Sequence, residues 1–123
     1  SPKMNFIPAK LISNNENKTE IEFLGSKYKI NQKLSQFSEN QNITFGVRPE
    51  NIHLSYDENF NWESKAFVVE KLGSSTFLYL ESQNEPIVVE CSGDNTIKAG
   101  ENVRVNFDFE KISVFDKEGK SIL

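Results

Sequence analysis

Residues 43–55 read ITFGVRPENIHLS, from Ile43 to Ser55, and residues 103–115 read VRVNFDFEKISVF, from Val103 to Phe115. In each, apolar residues alternate on both sides of a short polar break, the pattern of a strand, a sharp turn and a second strand. At a shift of 60 positions, Ile43, Phe45 and Val47 align with Val103, Val105 and Phe107, while Glu50, Ile52 and Leu54 align with Glu110, Ile112 and Val114. A second pair, FIPAKL from Phe6 and FVVEKL from Phe67, matches at a shift of 61. Two copies are too few for a solenoid. They predict one domain over residues 1–123, built from two similar β-units at about 1–56 and 62–116. Chance similarity is the competing explanation, since short apolar strands all resemble one another.

The rest of the chain fits the same class. Ten Phe and few Ala favour sheet over helix. Thr19 to Leu24 alternates, with Ile21 and Phe23 on one face. Gly25-Ser26 is read as a Gly-first hairpin turn, after which Tyr28 and Ile30 face inward. Asn14 to Lys18 is read as a polar turn. Leu34 and Phe37 sit three apart in a polar connection, the spacing of one helical turn. Tyr56 to Asn61 is a polar seam. Trp62 to Leu72 is a long strand with Phe67 and Val69 expected on one face. Phe77 to Leu80 is apolar at every position, so that strand is either covered on both faces or lies at a protein contact. Asp116 to Leu123 reads as a polar tail with a turn at Gly119. About ten short strands with regular turns predict an all-β barrel or sandwich, and five strands per unit is the count of an oligonucleotide/oligosaccharide-binding (OB) type barrel.

Charge and cysteine usage narrow the function. Charged residues make up 26% and the formal net charge is −4. That balance disfavours nucleic acid, whose phosphates need clustered Lys and Arg. No apolar run reaches membrane-spanning length, and the start is not read as a secretion signal, since no basic stretch followed by an apolar one opens the sequence. Asn17-Lys18-Thr19 and Asn42-Ile43-Thr44 are therefore read as accidental glycosylation patterns. The lone Cys91 cannot form an internal disulfide and defaults to a buried, inert thiol.

Catalytic and metal motifs fail residue by residue. Gly119-Lys120-Ser121 resembles the end of a phosphate-binding loop, but Val114 stands where that loop needs glycine. Asp57 to Asn61 resembles the start of a calcium loop, but Trp62 replaces its glycine and Val68 its bidentate glutamate. His53 has no second histidine to complete a zinc site, and strand alternation sends it to the surface. Glu81 with Glu85, or Asp108 with Glu110, are best read as solvated carboxylates, and Tyr28, Trp62 and Tyr79 as packing aromatics. Arg48-Pro49-Glu50 is different. Pro49 fixes its own φ and holds Arg48 extended, so two opposite charges are aimed stiffly off a strand end. They make either an exposed turn or a prepared contact for a partner's carboxylate or carbonyl.

Several stretches in register resemble the C-terminal regulatory domain of ABC-importer ATPase subunits of the maltose and glycerol-phosphate type. They are SPKMNF at Ser1–Phe6, GVRPENI at Gly46–Ile52, VEKLG at Val69–Gly73, and Val114-Phe115-Asp116 with Gly119. The abrupt start at Ser1 is read as the cut end of a longer protein. The resemblance implies a transport-associated OB-type (TOBE) fold that regulates and dimerises the ATP-binding subunit. It implies no catalysis and no cofactor or metal site in this stretch, with ATP and magnesium bound upstream in the parent. The implied partners are a second copy of the subunit, permease subunits docked through the nucleotide domain, and a regulatory protein in some members. The implied location is the cytoplasmic face of the membrane. Candidate interface residues are Met4, Asn5 and Phe6, the turn Arg48, Pro49 and Glu50, and Phe77 and Tyr79. The alternative is a small-ligand or oxyanion-sensing domain, with donors sought around Lys71 to Thr76.

Overall fold

The computed structural model describes residues 3–15, 18–32, 34 and 38–123. Among them ten strands follow one another: β1 (Asn5–Asn15), β2 (Lys18–Phe23), β3 (Ser26–Ile30), β4 (Gln41–Val47), β5 (Ile52–Ser55), β6 (Trp62–Leu72), β7 (Ser75–Leu80), β8 (Ile87–Ser92), β9 (Asn102–Phe107) and β10 (Ser113–Phe115). Single 3-10 turns, η1 (Pro49–Asn51) and η2 (Phe109–Lys111), precede β5 and β10. The fold is all-β, as the alternation predicts. Phe37 lies outside the described residues, and so do residues 16 and 17, on which part of the Asn14–Lys18 turn falls.

The strands form two five-stranded sheets, ordered β10-β4-β1-β2-β3 and β5-β9-β6-β7-β8. They divide into two compact units. Unit 1 comprises Ser1–Asn5 and Arg48–Asp108, and unit 2 comprises Phe6–Val47 and Phe109–Leu123. These are not the sequence halves 1–56 and 62–116. The chain crosses between units within each aligned repeat, at Val47/Arg48 and at Asp108/Phe109.

The pairing register explains why. Phe45 lies opposite Val114, and Leu54 opposite Val105. Phe45 aligns with Val105 at the 60-residue shift, and Val114 with Leu54, so the two pairs are copies of one contact. Gly46 with Ser113 and Asn106 with His53 match in the same way, as do Thr44 with Phe115 and Arg104 with Ser55. The repeat is therefore present in the strand pairing as well as in the sequence. Each copy gives one strand to each unit, a pairing that local sequence cannot announce.

In unit 1, β5 and β8 stand at opposite ends of the strand order yet lie side by side, so the sheet curls toward the closure of an OB-type barrel. Ile52, Ala66, Leu78, Leu80, Val89 and Val105 are fully buried. In β6, Ala66 faces Leu80 and Val69 faces Leu78, but the register shifts between Ala66 and Val68. This bulge overturns the expectation that Phe67 and Val69 share a face. Phe67 and Val68 are both exposed, because one extra residue reverses the alternation.

In unit 2 an aromatic cluster fills the core. Phe45 stacks on Phe23 at 4.4 Å between ring centroids, Tyr28 lies 4.5 Å from Phe23, and Phe109 of η2 lies 5.5 Å from Tyr28. The β2–β3 turn sits one residue earlier than expected. Phe23 pairs with Ser26, so Leu24 and Gly25 are the central residues, with φ of 51° and 80°. Both central residues being left-handed makes this a mirror-image turn that matches strand twist, and Leu24 carries its strain. The last residues are more than a polar tail. The Asp116 carboxylate accepts the amides of Glu118 and Lys120, the chain turns at Gly119, and the Ile122 amide donates to the Val114 carbonyl while its side chain is buried.

Burial raises the Tyr28 phenol above its usual pKa, and the smaller effect of a hydrogen bond with Ser26 lowers it. The folded state thus holds this proton at pH values where the unfolded chain, near pH 10, releases it. Fewer protons on the unfolded chain mean that stability falls as pH rises above about 10. Denaturant melts of the wild type should weaken through that range, and Tyr28→Phe should weaken less.

Candidate interaction surface

Of the sequence-predicted contact residues, Asn5, Phe77, Tyr79 and the Arg48-Pro49-Glu50 turn lie beside β8 of unit 1. Asn5, 7% exposed, uses both ends of its side-chain amide on one β8 residue. Its Nδ2 donates to the Val88 carbonyl at 2.9 Å, and its Oδ1 accepts the Val88 amide at 2.8 Å. A single side chain thereby stands in for a neighbouring strand and satisfies an edge that would otherwise be open. Tyr79 lies opposite Val88, and Phe77 opposite Glu90, across the β7–β8 ladder. η1 lies alongside β8 as well. Phe6 belongs to unit 2, where its exposed ring stands 6.0 Å from Phe115.

Burial sorts these residues. Asn5, Pro49 and Phe77 are buried, Met4 and Tyr79 are half-buried, and Phe6, Arg48 and Glu50 are exposed. Phe77 to Leu80 thus answers the covered-strand expectation, with only Tyr79 leaving substantial surface. Asn5 holds the edge in place, so Asn5→Ala should destabilise the chain by about 1–3 kcal/mol, leaving both Val88 groups unpaired. A urea melt measures the loss, and amide exchange at Val88 and its neighbours should quicken first.

Arg48 takes φ −76° and ψ 149°, the extended state its proline demands. The Asn51 amide donates to the Arg48 carbonyl at 2.9 Å, the Ile52 amide donates to Pro49, and the Asp108 amide donates to Asn51. The turn is fixed by its backbone, and neither Arg48 nor Glu50 is ion-paired among the described residues.

Sequence reasoning missed the outward residues of β6. Val68 and Leu72, 43% and 56% exposed, flank Glu70 on the face that also carries Tyr79 and Val88. The bulge at Phe67 concealed this apolar strip, because its signal is one break in an otherwise regular alternation.

Other expectations resolve briefly. His53 is exposed. Cys91 is half-buried rather than buried; burial is the main cause raising its thiol pKa, Glu90 adds to the rise, and Lys71 opposes it. Lys71 Nζ donates to the Asn95 carbonyl, Thr76 is fully buried, and the Gly93 amide donates to the Ser74 carbonyl. The Ser75 hydroxyl donates to the Glu90 carboxylate, so the Lys71 and Ser75 donors are engaged within the chain. Among the described residues, no group of three or more His, Cys, Asp or Glu could hold a metal ion, and no helix is long and apolar enough to cross a membrane.

These features describe an OB-type β-domain with a stapled edge and a rigid charged turn. The chain belongs to the family of MalK-type OB and TOBE domains found in ATP-binding subunits of ABC transporters. The MalK OB fold model matches residues 1–52 and the TOBE domain model matches residues 45–115. The chain is 35% identical to the alpha-glucoside transport ATP-binding protein AglK of Rhizobium meliloti, over 98% of this chain and 34% of that protein. It is 26% identical to the maltose/maltodextrin import ATP-binding protein MalK of Aliivibrio fischeri, over 98% of this chain and 34% of that protein. It thus spans about a third of the length of the curated relatives it matches. The region is an OB and TOBE domain, not the ATPase domain. Among solved structures, the cytoplasmic molybdate-binding protein ModG has the same fold, with a TM-score of 0.75 at 12% identity, covering 89% of this chain and 94% of ModG.

Proposed function

We propose that the chain is the regulatory and dimerisation module of the ATP-binding subunit of an importer for sugars or related solutes. The observation that carries this reading is the match over nearly the whole chain to ATP-binding subunits named for alpha-glucoside and maltodextrin transport. The parent would bind ATP and magnesium in its nucleotide domain, dock there on permease subunits, and work at the cytoplasmic face of the membrane. A regulatory protein could use the same surface.

The geometry suits a contact that outlasts the opening and closing of nucleotide domains. A surface already rigid loses little entropy on pairing, and a two-fold contact needs only one self-complementary patch. Arg48 and Glu50 offer opposite charges on a fixed backbone. Val68, Leu72 and Tyr79 offer apolar area on the outward face of β6 and β7. Met4 and Phe6 are candidates at the start of the chain.

Charge reversal at one position at a time, Arg48→Glu or Glu50→Lys, in the full-length parent should weaken subunit pairing at least about tenfold. Sedimentation measures the pairing, and an unchanged melting profile shows that the domain is intact. Unchanged pairing would remove the turn from the interface.

A further inference from the structure

A groove of about 390 Å³ opens in unit 1, where the β5 end, the start of β6 and the loop before β9 meet. That volume lies in the range of roughly 300–1,000 Å³ usual for small-molecule sites. Its apolar lining comes from Leu54, Ile97 and Val103. Tyr56 stands at its rim, 84% exposed. Its ring is therefore open to solvent beside the groove.

The polar wall is prepared. The Arg104 guanidinium lies 4.6 Å over the Phe60 ring, donates to the Asp57 carbonyl at 3.2 Å, and stands 3.5 Å from Glu63 and 3.6 Å from Glu58. The loop behind it is pinned in turn. The Ser55 hydroxyl donates to the Asn59 carbonyl, Asn106 donates to the same carbonyl, and the Asn59 amide donates to Asp57. Glu101 and Asn102 complete the wall with further acceptors and an amide.

This charge arrangement selects a ligand class. Glu63 and Glu101 repel an anion, and the one cation of the wall is already shared among carboxylates. Arg104 already engages Glu58 and Glu63, which leaves a cation Glu101 as the open carboxylate of the wall. A neutral ligand with many hydroxyls is not repelled by the carboxylates and does not depend on Glu101 alone. Its hydroxyls donate to carboxylates and accept from guanidinium and amide, and the apolar face of its ring covers Tyr56 and the groove floor. We propose that this groove binds a neutral carbohydrate, a mono- or disaccharide, between Tyr56 and the Glu63–Arg104 pair. The site goes beyond the pairing role proposed above and shares none of its candidate residues, so either can fail alone.

The test is a titration of the full chain, labelled with nitrogen-15, against maltose, sucrose and glucose, with phosphate, molybdate and spermidine as charged competitors. Saturable shifts at Tyr56, Glu63, Asn102 and Arg104 with at least one sugar are expected. Tyr56→Ala and Glu101→Gln should each weaken that binding about tenfold while the amide signals of β7 and β8 stay in place. The proposal is overturned by the absence of saturable shifts with every sugar up to about 50 mM. Shifts confined to other residues, affinity unchanged in both variants, or preferential filling of the groove by phosphate, molybdate or spermidine overturn it equally.

Discussion

Residues 1–56 and 57–123, produced as separate chains, should each fail to fold, and mixing them should restore the native spectrum. Each half leaves strands without their partners. β4 in the first half pairs with β10 in the second, and β5 in the first pairs with β9 in the second. The first half also lacks Phe109, Val114 and Ile122, which complete the packing of unit 2. Backbone groups on both edges would be open to water, and the apolar face of each sheet would be half-covered. Native stability is only about 5–15 kcal/mol in an ordinary domain, so losses on this scale leave nothing folded. Circular dichroism melts of each half, and of the equimolar mixture, decide the matter. A cooperative melt from residues 1–56 alone would show that β4 and β5 do not depend on their crossed partners.

Phe45→Ala should cost about 3–5 kcal/mol, a large loss for one side chain. Phe45 has no solvent exposure, stacks on Phe23 at 4.4 Å and meets Phe109 at 6.2 Å. Its removal leaves a cavity at the centre of the aromatic cluster, and the strands on either side, β1 and β10, hold the backbone against collapse. Phe6→Ala is the matched control. Phe6 is 54% exposed, and its loss should stay near about 0.5 kcal/mol. Urea midpoints for the two variants against the wild type measure both. If they fall equally, the cluster is not the centre of unit 2.

The strands were legible because alternation is a local signal. Ile21 and Phe23, Tyr28 and Ile30, and Ile43, Phe45 and Val47 each announce a buried face within a few residues. The repeat was legible too, from Val103 to Phe107 set against Ile43 to Val47. Its consequence was not, since pairing between residues some 50 or 70 positions apart leaves no local mark. The bulge at Phe67 hid for a related reason: a single inserted residue reads as continued strand. Of the candidate surface, the Arg48-Pro49-Glu50 turn could be read because proline dictates backbone shape by itself. The Asn5 staple on Val88 spans 83 positions and could not. The groove beside Tyr56 was likewise invisible, because the seam from Tyr56 to Asn61 looked merely polar, and its hydrogen bonds to β9 are made through backbone and amide groups of every kind.

The seam has one more consequence. Two chains whose halves came apart would offer each other identical strand edges, and a first half could take its missing partners from a neighbouring molecule as readily as from its own chain. What decides between these outcomes is the connection at Asp57 to Asn61. Three side chains, Ser55, Arg104 and Asn106, tie its carbonyls down, and Asn61 returns the tie to the Phe107 amide. A connection so fastened favours pairing within one chain over exchange between copies.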